Sequence, residues 1–421
     1  MKHSSLFKGI CNPRNHHLQQ QILHSSLFTL HFKCCLLLAS IFLLGANASA
    51  QGIYTENNIL QKPNLKILHL GNSFTFDTQS YLPFLLNSNQ SDVSDMCIYR
   101  FMRAAASFKE WYDIYHDSDF AAGYELEKIC GGIDANVEPG KAAKGDGTLL
   151  RKALGEEQWD IIFLQPSSNY SPYYDQWSGH GDGGYLDELL ALLKSLQPNA
   201  VIGMVLPHSS SSTYAGNAEH SSFERWRLNA QSVKRFCNDY GISLVVPYGT
   251  AVQNLRASSL NNDVDLTCDG LHCELVLCRY TASCCYYEAI IAPRTGVSVA
   301  GDKTRIPTSW FTSTTKMVSV DDETAPIAQK AALLAMKDWY TCNNPENFDM
   351  DLNPNVNPNR RADVNGDGAV DVADIATVID IMAGAPLPSE GVGGGSADAN
   401  GDGTVDVADI ATIIDVMAGK S

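Results

Sequence analysis

The sequence predicts a three-layer α/β fold built on a parallel sheet, followed by a small all-α module. Between Lys66 and Gly249 short apolar runs alternate with longer amphipathic ones, the pattern of a parallel sheet covered by helices. With 421 residues and 44% hydrophobic side chains, the chain can fill one sizeable core and still carry a small extra module. At the carboxyl end an acidic twelve-residue block occurs twice, thirty-five residues apart.

In chain order, residues 1–50 read as a secretory signal with a long leader. Lys33 precedes the apolar run Cys34–Leu44, and Ala48-Ser49-Ala50 fits a small-residue cleavage site before Gln51. That run is shorter than a membrane span needs, and no later stretch reaches the required length. The leader implies a secreted, extracellular or cell-surface protein, with the periplasm left open and no integral membrane segment; a retained N-terminal anchor is the alternative reading. The formal net charge of −17 argues against nucleic acid or an anionic membrane as partner. Three of the twelve cysteines fall in the leader, and the remaining nine cannot all pair within one chain. Buried thiols or one disulfide fit their spacing better than a zinc site.

Residues 51–342 form the larger predicted domain. Its strands are expected at Lys66–Leu70, Cys97–Phe101, Asp160–Gln165, Val201–Leu206 and Ser243–Val246. Helices are expected at Tyr81–Leu86, Ser107–His116, Thr148–Gly155, Tyr185–Leu196, Ser222–Tyr240, Thr281–Ile291 and Pro326–Tyr340. Five strands joined by crossover helices make a flavodoxin-like sheet, whose ligands bind at the carboxyl ends of the strands. Ser73, Ala105–Ser107, Gln165 and Pro207–Ser212 fall there. Residues 343–361, rich in Asn and Pro, read as an extended linker.

Lys66–Asp77, reading KILHLGNSFTFD, is a short buried strand that turns at Gly71 and presents Ser73 at the next segment. A hydroxyl there is exposed and flanked by backbone N–H groups, which suits a nucleophile and also suits a plain helix cap. Almost two hundred residues later comes Leu266-Thr-Cys-Asp-Gly-Leu-His-Cys273. Asp269 and His272 sit three apart, so a carboxylate can hold one imidazole nitrogen and leave the other as a base. Gly296-Val-Ser-Val-Ala300 is close to a nucleophile elbow, but that arrangement needs a later histidine and none follows His272.

Gly71-Asn72-Ser73 with Asp269-x-x-His272, in this order, resembles the SGNH (GDSL-like) hydrolase family over residues 64 to about 295. The resemblance implies a Ser73/His272/Asp269 catalytic site that needs no cofactor. In that family a glycine after the second strand and an Asn in a third block complete the oxyanion hole. This chain has Ala105 at the first place and Leu164-Gln165-Pro166-Ser167-Ser168-Asn169 at the second. Ala105 and Gln165 are therefore the expected additional donors, with Asn169 as the fallback and a loop-capping amide as the structural alternative. His180 and His208, with Tyr173, Tyr174 and Trp177, read either as cleft-lining side chains or as solvated loop groups.

In the last sixty residues, eleven Asp or Glu face one Lys. The first repeat offers Asp363, Asn365, Asp367, Ala369, Asp371 and Asp374, and the second Asp398, Asn400, Asp402, Thr404, Asp406 and Asp409, each with glycine at loop position 6. Oxygen ligands at that spacing around a sharp glycine turn suit two Ca²⁺ sites, with position 7 ligating through its backbone carbonyl. Only an exiting helix follows each loop. Loop plus one helix in duplicate resembles a type I dockerin, spanning residues 362–421. That resemblance implies a cohesin module on a scaffold as partner, contacted through Val372 and Ala373 and, in the second copy, Val407 and Ala408. The combined expectation is a secreted serine esterase that deacylates plant or other glycans. The alternative is a non-catalytic glycan-binding or scaffold-associated module with a relic site.

Overall fold

The computed structural model describes residues 55–117 except 57, 123–135, 140–141, 148–214 and 220–347. Toward the carboxyl end it describes 362, 364–365, 370–385, 397, 399 and 405–418. The leader and most of the linker lie outside these residues.

Seven strands form one sheet in the order β4-β3-β2-β1-β5-β6-β7. They are β1 (Leu65–Gly71), β2 (Met96–Arg103), β3 (Tyr124–Gly131), β4 (Gly140–Lys141), β5 (Ile161–Leu164), β6 (Val201–Val205) and β7 (Val245–Val246). The expected strands β1, β2, β5, β6 and β7 run parallel to their neighbours. Their order, second-first-third-fourth-fifth, is that of the flavodoxin-like sheet. The sequence reading did not include β3 and β4. The former pairs antiparallel with β2 and the latter with β3, so the edge next to β2 is closed by a hairpin.

Successive β1 side chains alternate between the faces of the sheet. Leu68 and Leu70 enter a buried cluster with Tyr99, Phe101, Trp111, Leu186 and Phe236. His69 faces the other way, and its Nε2 lies 2.7 Å from Tyr286 Oη. Burial, helped by Arg100, pushes this histidine down to about 3, so it is a neutral core residue.

The helices that position the site are α1 (Ser73–Gln79), α2 (Leu82–Ser88), α3 (Phe108–His116), α4 (Thr148–Glu156), α5 (Leu186–Leu196) and α6 (Ser222–Tyr240). Then come α7 (Tyr248–Arg256), α8 (Leu277–Ile290), α9 (Ala292–Thr295) and α10 (Thr324–Lys337). The first departs from expectation, because the chain turns helical at Ser73 itself. The stretch Thr78–Leu86 is split between two helices, with Pro83 in the first turn of the second, where its missing N–H costs nothing.

The first residues of the stretch read as linker are held against the larger domain. Asn343 N donates to Asn254 Oδ1 at 2.7 Å, and Ser259 N donates to Glu346 Oε2 at 2.6 Å. These bonds fasten residues 343–346 to the region around α7.

The C-terminal helices are α11 (Val372–Met382) and α12 (Val407–Met417). Their inner residues Val378, Ile413 and Val416 pack with Ala362, Val364, Ala397 and Ala399 in a separate small core. All nine described cysteines are free. Among the described residues no helix is long and apolar enough to cross a membrane.

Candidate active site

β1 ends at Gly71, and α1 begins two residues later. Glycine is required there because a Cβ would sit 1.9 Å from Thr75 Oγ1, on the helix folding back over the strand. Asn72 is the N-cap, and its Oδ1 accepts from Phe74 N at 3.1 Å. Ser73 is thus the first helical residue, half-buried, with its backbone N–H in the turn where helix donors lack intrahelical partners.

The second half of the site is a tight loop closed by the bridge Thr267↔Cys273 and by Cys268 N donating to His272 O at 3.0 Å. Gly270 takes φ +84 within it, a left-handed angle suited to glycine. Asp269 Oδ1 accepts from the Leu271 and His272 amides at 2.9 and 2.7 Å. Its Oδ2 lies 2.7 Å from His272 Nδ1. The other ring nitrogen, Nε2, lies 2.9 Å from Ser73 Oγ.

The structure therefore brings Ser73, His272 and Asp269 into one hydrogen-bonded chain across 199 residues of sequence. Burial alone would raise the Asp269 carboxyl, but hydrogen bonds from the His272 amide and ring and the Leu271 amide outweigh it and hold the group low. An ionised Asp269 accepts a hydrogen bond from His272 Nδ1–H and leaves the Nε2 lone pair facing the serine hydroxyl.

The two expected oxyanion donors are placed differently from one another. Gln165 is buried, with Nε2 donating to Asn72 Oδ1 at 2.6 Å and Oε1 accepting from Thr75 Oγ1 at 2.8 Å. Both ends of this amide serve the framework under α1. Asn72 extends that framework, donating to Ala106 O at 3.1 Å and Pro166 O at 3.4 Å. One side chain thus ties together the loops after β1, β2 and β5. Ala105 is exposed and takes φ +58, the backbone shape for which glycine is the natural choice. Asn169 is exposed in the turn after β5.

Among the aromatic and histidine candidates, His180 is exposed at the surface, whereas Trp177 and His208 are buried. The latter two are neither solvated loop groups nor cleft walls. The sequence reading gave no role to Asn72, Thr75 or Asp77, and took His208 only as a cleft-lining or solvated side chain. The positions of Thr75 and Asp77, two and four residues after Ser73 on a helix start, were the available hint.

In the C-terminal module the described members of the calcium set are Asn365, Asp371, Asp374, Asp406 and Asp409. Asp363, Asp367, Ala369, Asp398, Asn400, Asp402 and Thr404 lie outside the described residues. Asp374 and Asp409 are fully buried carboxylates. Asp374 accepts from Asn365 N at 3.0 Å and Asp371 N at 2.8 Å, and Asp409 accepts from Asp406 N at 2.8 Å. Each closing acid is drawn into its own loop, and an all-oxygen set closed in this way fits a hard cation. Val372 and Val407 are 71% and 70% exposed, the same outward position in both copies.

The larger domain is thus an α/β sheet domain with a Ser–His–Asp chain at the carboxyl ends of its strands. Residues 66–303 match the family model described as a domain of unknown function, DUF4886, and the chain belongs to that family. Residues 361–417 match the type I dockerin domain, which the chain carries at its carboxyl end. A crystal structure of a DUF4886 family protein from Bacteroides uniformis ATCC 8492 is 24% identical and has a TM-score of 0.53. The match covers 68% of this chain and 99% of that one. A proposed SGNH hydrolase from Slackia heliotrinireducens is 17% identical over 53% of this chain and 98% of its own, with a TM-score of 0.34. No curated protein matches the chain.

Proposed function

We propose that this chain is a secreted serine esterase of SGNH type that removes acyl groups, acetyl foremost, from glycans while its dockerin holds it on a cohesin-bearing scaffold. The observation that carries the catalytic half is the Ser73–His272–Asp269 chain, with 2.9 and 2.7 Å links.

In the first step Ser73 Oγ attacks the ester carbonyl carbon while His272 Nε2 takes its proton. The oxyanion is met by the N–H groups of Ser73 and Ala105; losing one such donor typically costs about 3 kcal/mol. Gln165, engaged by Asn72 and Thr75, supports the loop geometry. On collapse His272 returns the proton to the departing sugar oxygen, leaving an acyl-serine. Water then repeats the sequence and frees the acid. Asp269 stays ionised and stabilises the imidazolium.

Two observations support a glycan substrate. Type I dockerins tie enzymes to scaffolds, and the enzymes that carry them act mostly on plant polysaccharides. Trp310 is 58% exposed beside Phe84 at 46%. The following segment is tied to the base-bearing loop by Thr315 Oγ1 donating to Cys268 O at 2.5 Å. An open indole gives a sugar ring an apolar face to stack on. The dockerin loops would hold Ca²⁺, whose role is to shape the docking surface and not to take part in ester hydrolysis.

The test is hydrolysis of a nitrophenyl acetate and labelling by a fluorophosphonate probe. Ser73→Ala should lower turnover at least a thousandfold and abolish labelling. Wild-type rates in that variant would sink the proposal, and a wild-type chain that neither turns over nor labels would favour a relic binding module.

A further inference from the structure

Resting on the esterase reading, we propose that Asp77 and His208 are positioning residues that hold the two peptide groups on either side of His272. His272 reaches Ser73 only if its loop stays in place, and two buried side chains grip that loop. On one side the Leu271 carbonyl accepts from His208 Nε2 at 2.8 Å. On the other the Cys273 N–H donates to Asp77 Oδ2 at 3.1 Å.

Each grip starts from the serine's own surroundings. Asp77 lies four residues after Ser73 on α1, one helical turn along the same face. The helix that presents the nucleophile thus also holds the loop that presents the base. Its other oxygen pairs with Arg279 Nε at 2.8 Å, which fixes the carboxylate in a fully buried site. The His208 ring packs against Phe74, the residue after Ser73, with centroids 4.3 Å apart and planes tilted by 46°. With Nε2–H committed to a carbonyl, Nδ1 accepts from Tyr248 Oη at 3.1 Å. Burial keeps this ring neutral, so the tautomer is set.

The same neighbourhood offers a rival reading, because Asp77, His208 and Cys273 place donor atoms within 4.8 Å of one another. A metal ion fits it poorly. His208 uses both ring nitrogens on neighbours, the Arg279 cation faces Asp77, and burial pushes the Cys273 thiol far from ionisation. Hydrogen bonding, not ligation, accounts for all three groups.

A misplacement of about 1 Å in a reacting group is worth roughly a hundredfold in rate. The experiment compares full-length wild type with Asp77→Ala, Asp77→Asn, His208→Ala and His208→Gln. It reads kcat and KM for nitrophenyl acetate, the fluorophosphonate labelling rate of Ser73 per folded molecule, and the Ser73–His272 distance in crystals.

The alanine variants should lose roughly ten- to a hundredfold in kcat and labelling rate while KM stays within about threefold. His208→Gln, which can still donate to the Leu271 carbonyl, and Asp77→Asn, which can still accept from Cys273 N–H, should recover most of the loss. Unchanged labelling rates in the folded alanine variants, or an unmoved Ser73–His272 distance, would overturn the proposal. If an alanine variant fails to fold, the conservative pair decides: a small kcat deficit with the loop shifted supports positioning, and wild-type values in both readouts refute it. If wild type itself neither turns over nor labels, the esterase reading fails separately, and the crystallographic distance alone judges the positioning role.

Discussion

Gln165 and Asn72 meet at the carboxyl ends of two neighbouring strands, where the Gln165 amide donates to the Asn72 carbonyl oxygen at 2.6 Å. The contact commits the Gln165 amide to the framework beneath the serine turn. Its Oε1 accepts from Thr75 Oγ1 at 2.8 Å, so the side chain braces the serine turn through both ends of its amide.

Ala105 holds a left-handed backbone conformation beside the site. Its φ of +58 is costly for a residue with a Cβ. Ala105→Gly should raise the unfolding free energy by about 1 kcal/mol in urea titration. A destabilised glycine variant would show that the left-handed turn is relaxed in solution.

Trp310 should matter to a sugar and not to a small ester. For Trp310→Ala the KM on an acetylated oligosaccharide should rise roughly tenfold, equivalent to about 1.4 kcal/mol of lost stacking. Kinetics on nitrophenyl acetate should stay as in wild type. Equal effects on both substrates would remove the platform from the account.

Asp77 gives a pH signature. Burial pushes its carboxyl up to about 6, with Arg279 and His272 pulling the other way. A carboxyl raised in the fold contributes stability at low pH that is lost as pH rises through about 6. Asp77→Asn carries no such titration. The melting temperature of the variant minus that of wild type should therefore climb between about pH 4 and pH 7. A flat difference would mean Asp77 ionises as it does in the unfolded chain.

The dockerin should depend on its ion. Chelation should remove the far-UV ellipticity of its two eleven-residue helices and abolish cohesin binding. Ester turnover should persist. Unchanged dichroism after chelation would count against calcium as the organiser of these loops.

Much of the sheet was legible because its parallel strands are continuous apolar runs, as at Ile161–Leu164, and strand order follows from crossover rules. The hairpin strand Tyr124–Gly131 was not, since Glu125, Glu127 and Lys128 interrupt its apolar residues. The α7 helix was missed for a related reason. It is only nine residues long and buried all round, with Thr250, Gln253, Asn254 and Arg256 inside, so its polar residues read as an exposed connection. At the site, Ser73, Asp269 and His272 were picked out by the paired motifs and their family resemblance, since neither motif alone is specific, and the structure brings the three within hydrogen-bonding reach. The roles of Asn72, Gln165, Asp77 and His208 come from contacts between segments far apart in sequence, which no local pattern encodes.

The nine described cysteines are all unbridged, and Cys97, Cys273, Cys278, Cys284 and Cys285 are buried in the interior. Burial raises the Cys273, Cys284 and Cys285 thiols well above their ordinary range, so a thiol-alkylating reagent should reach them only when the fold opens.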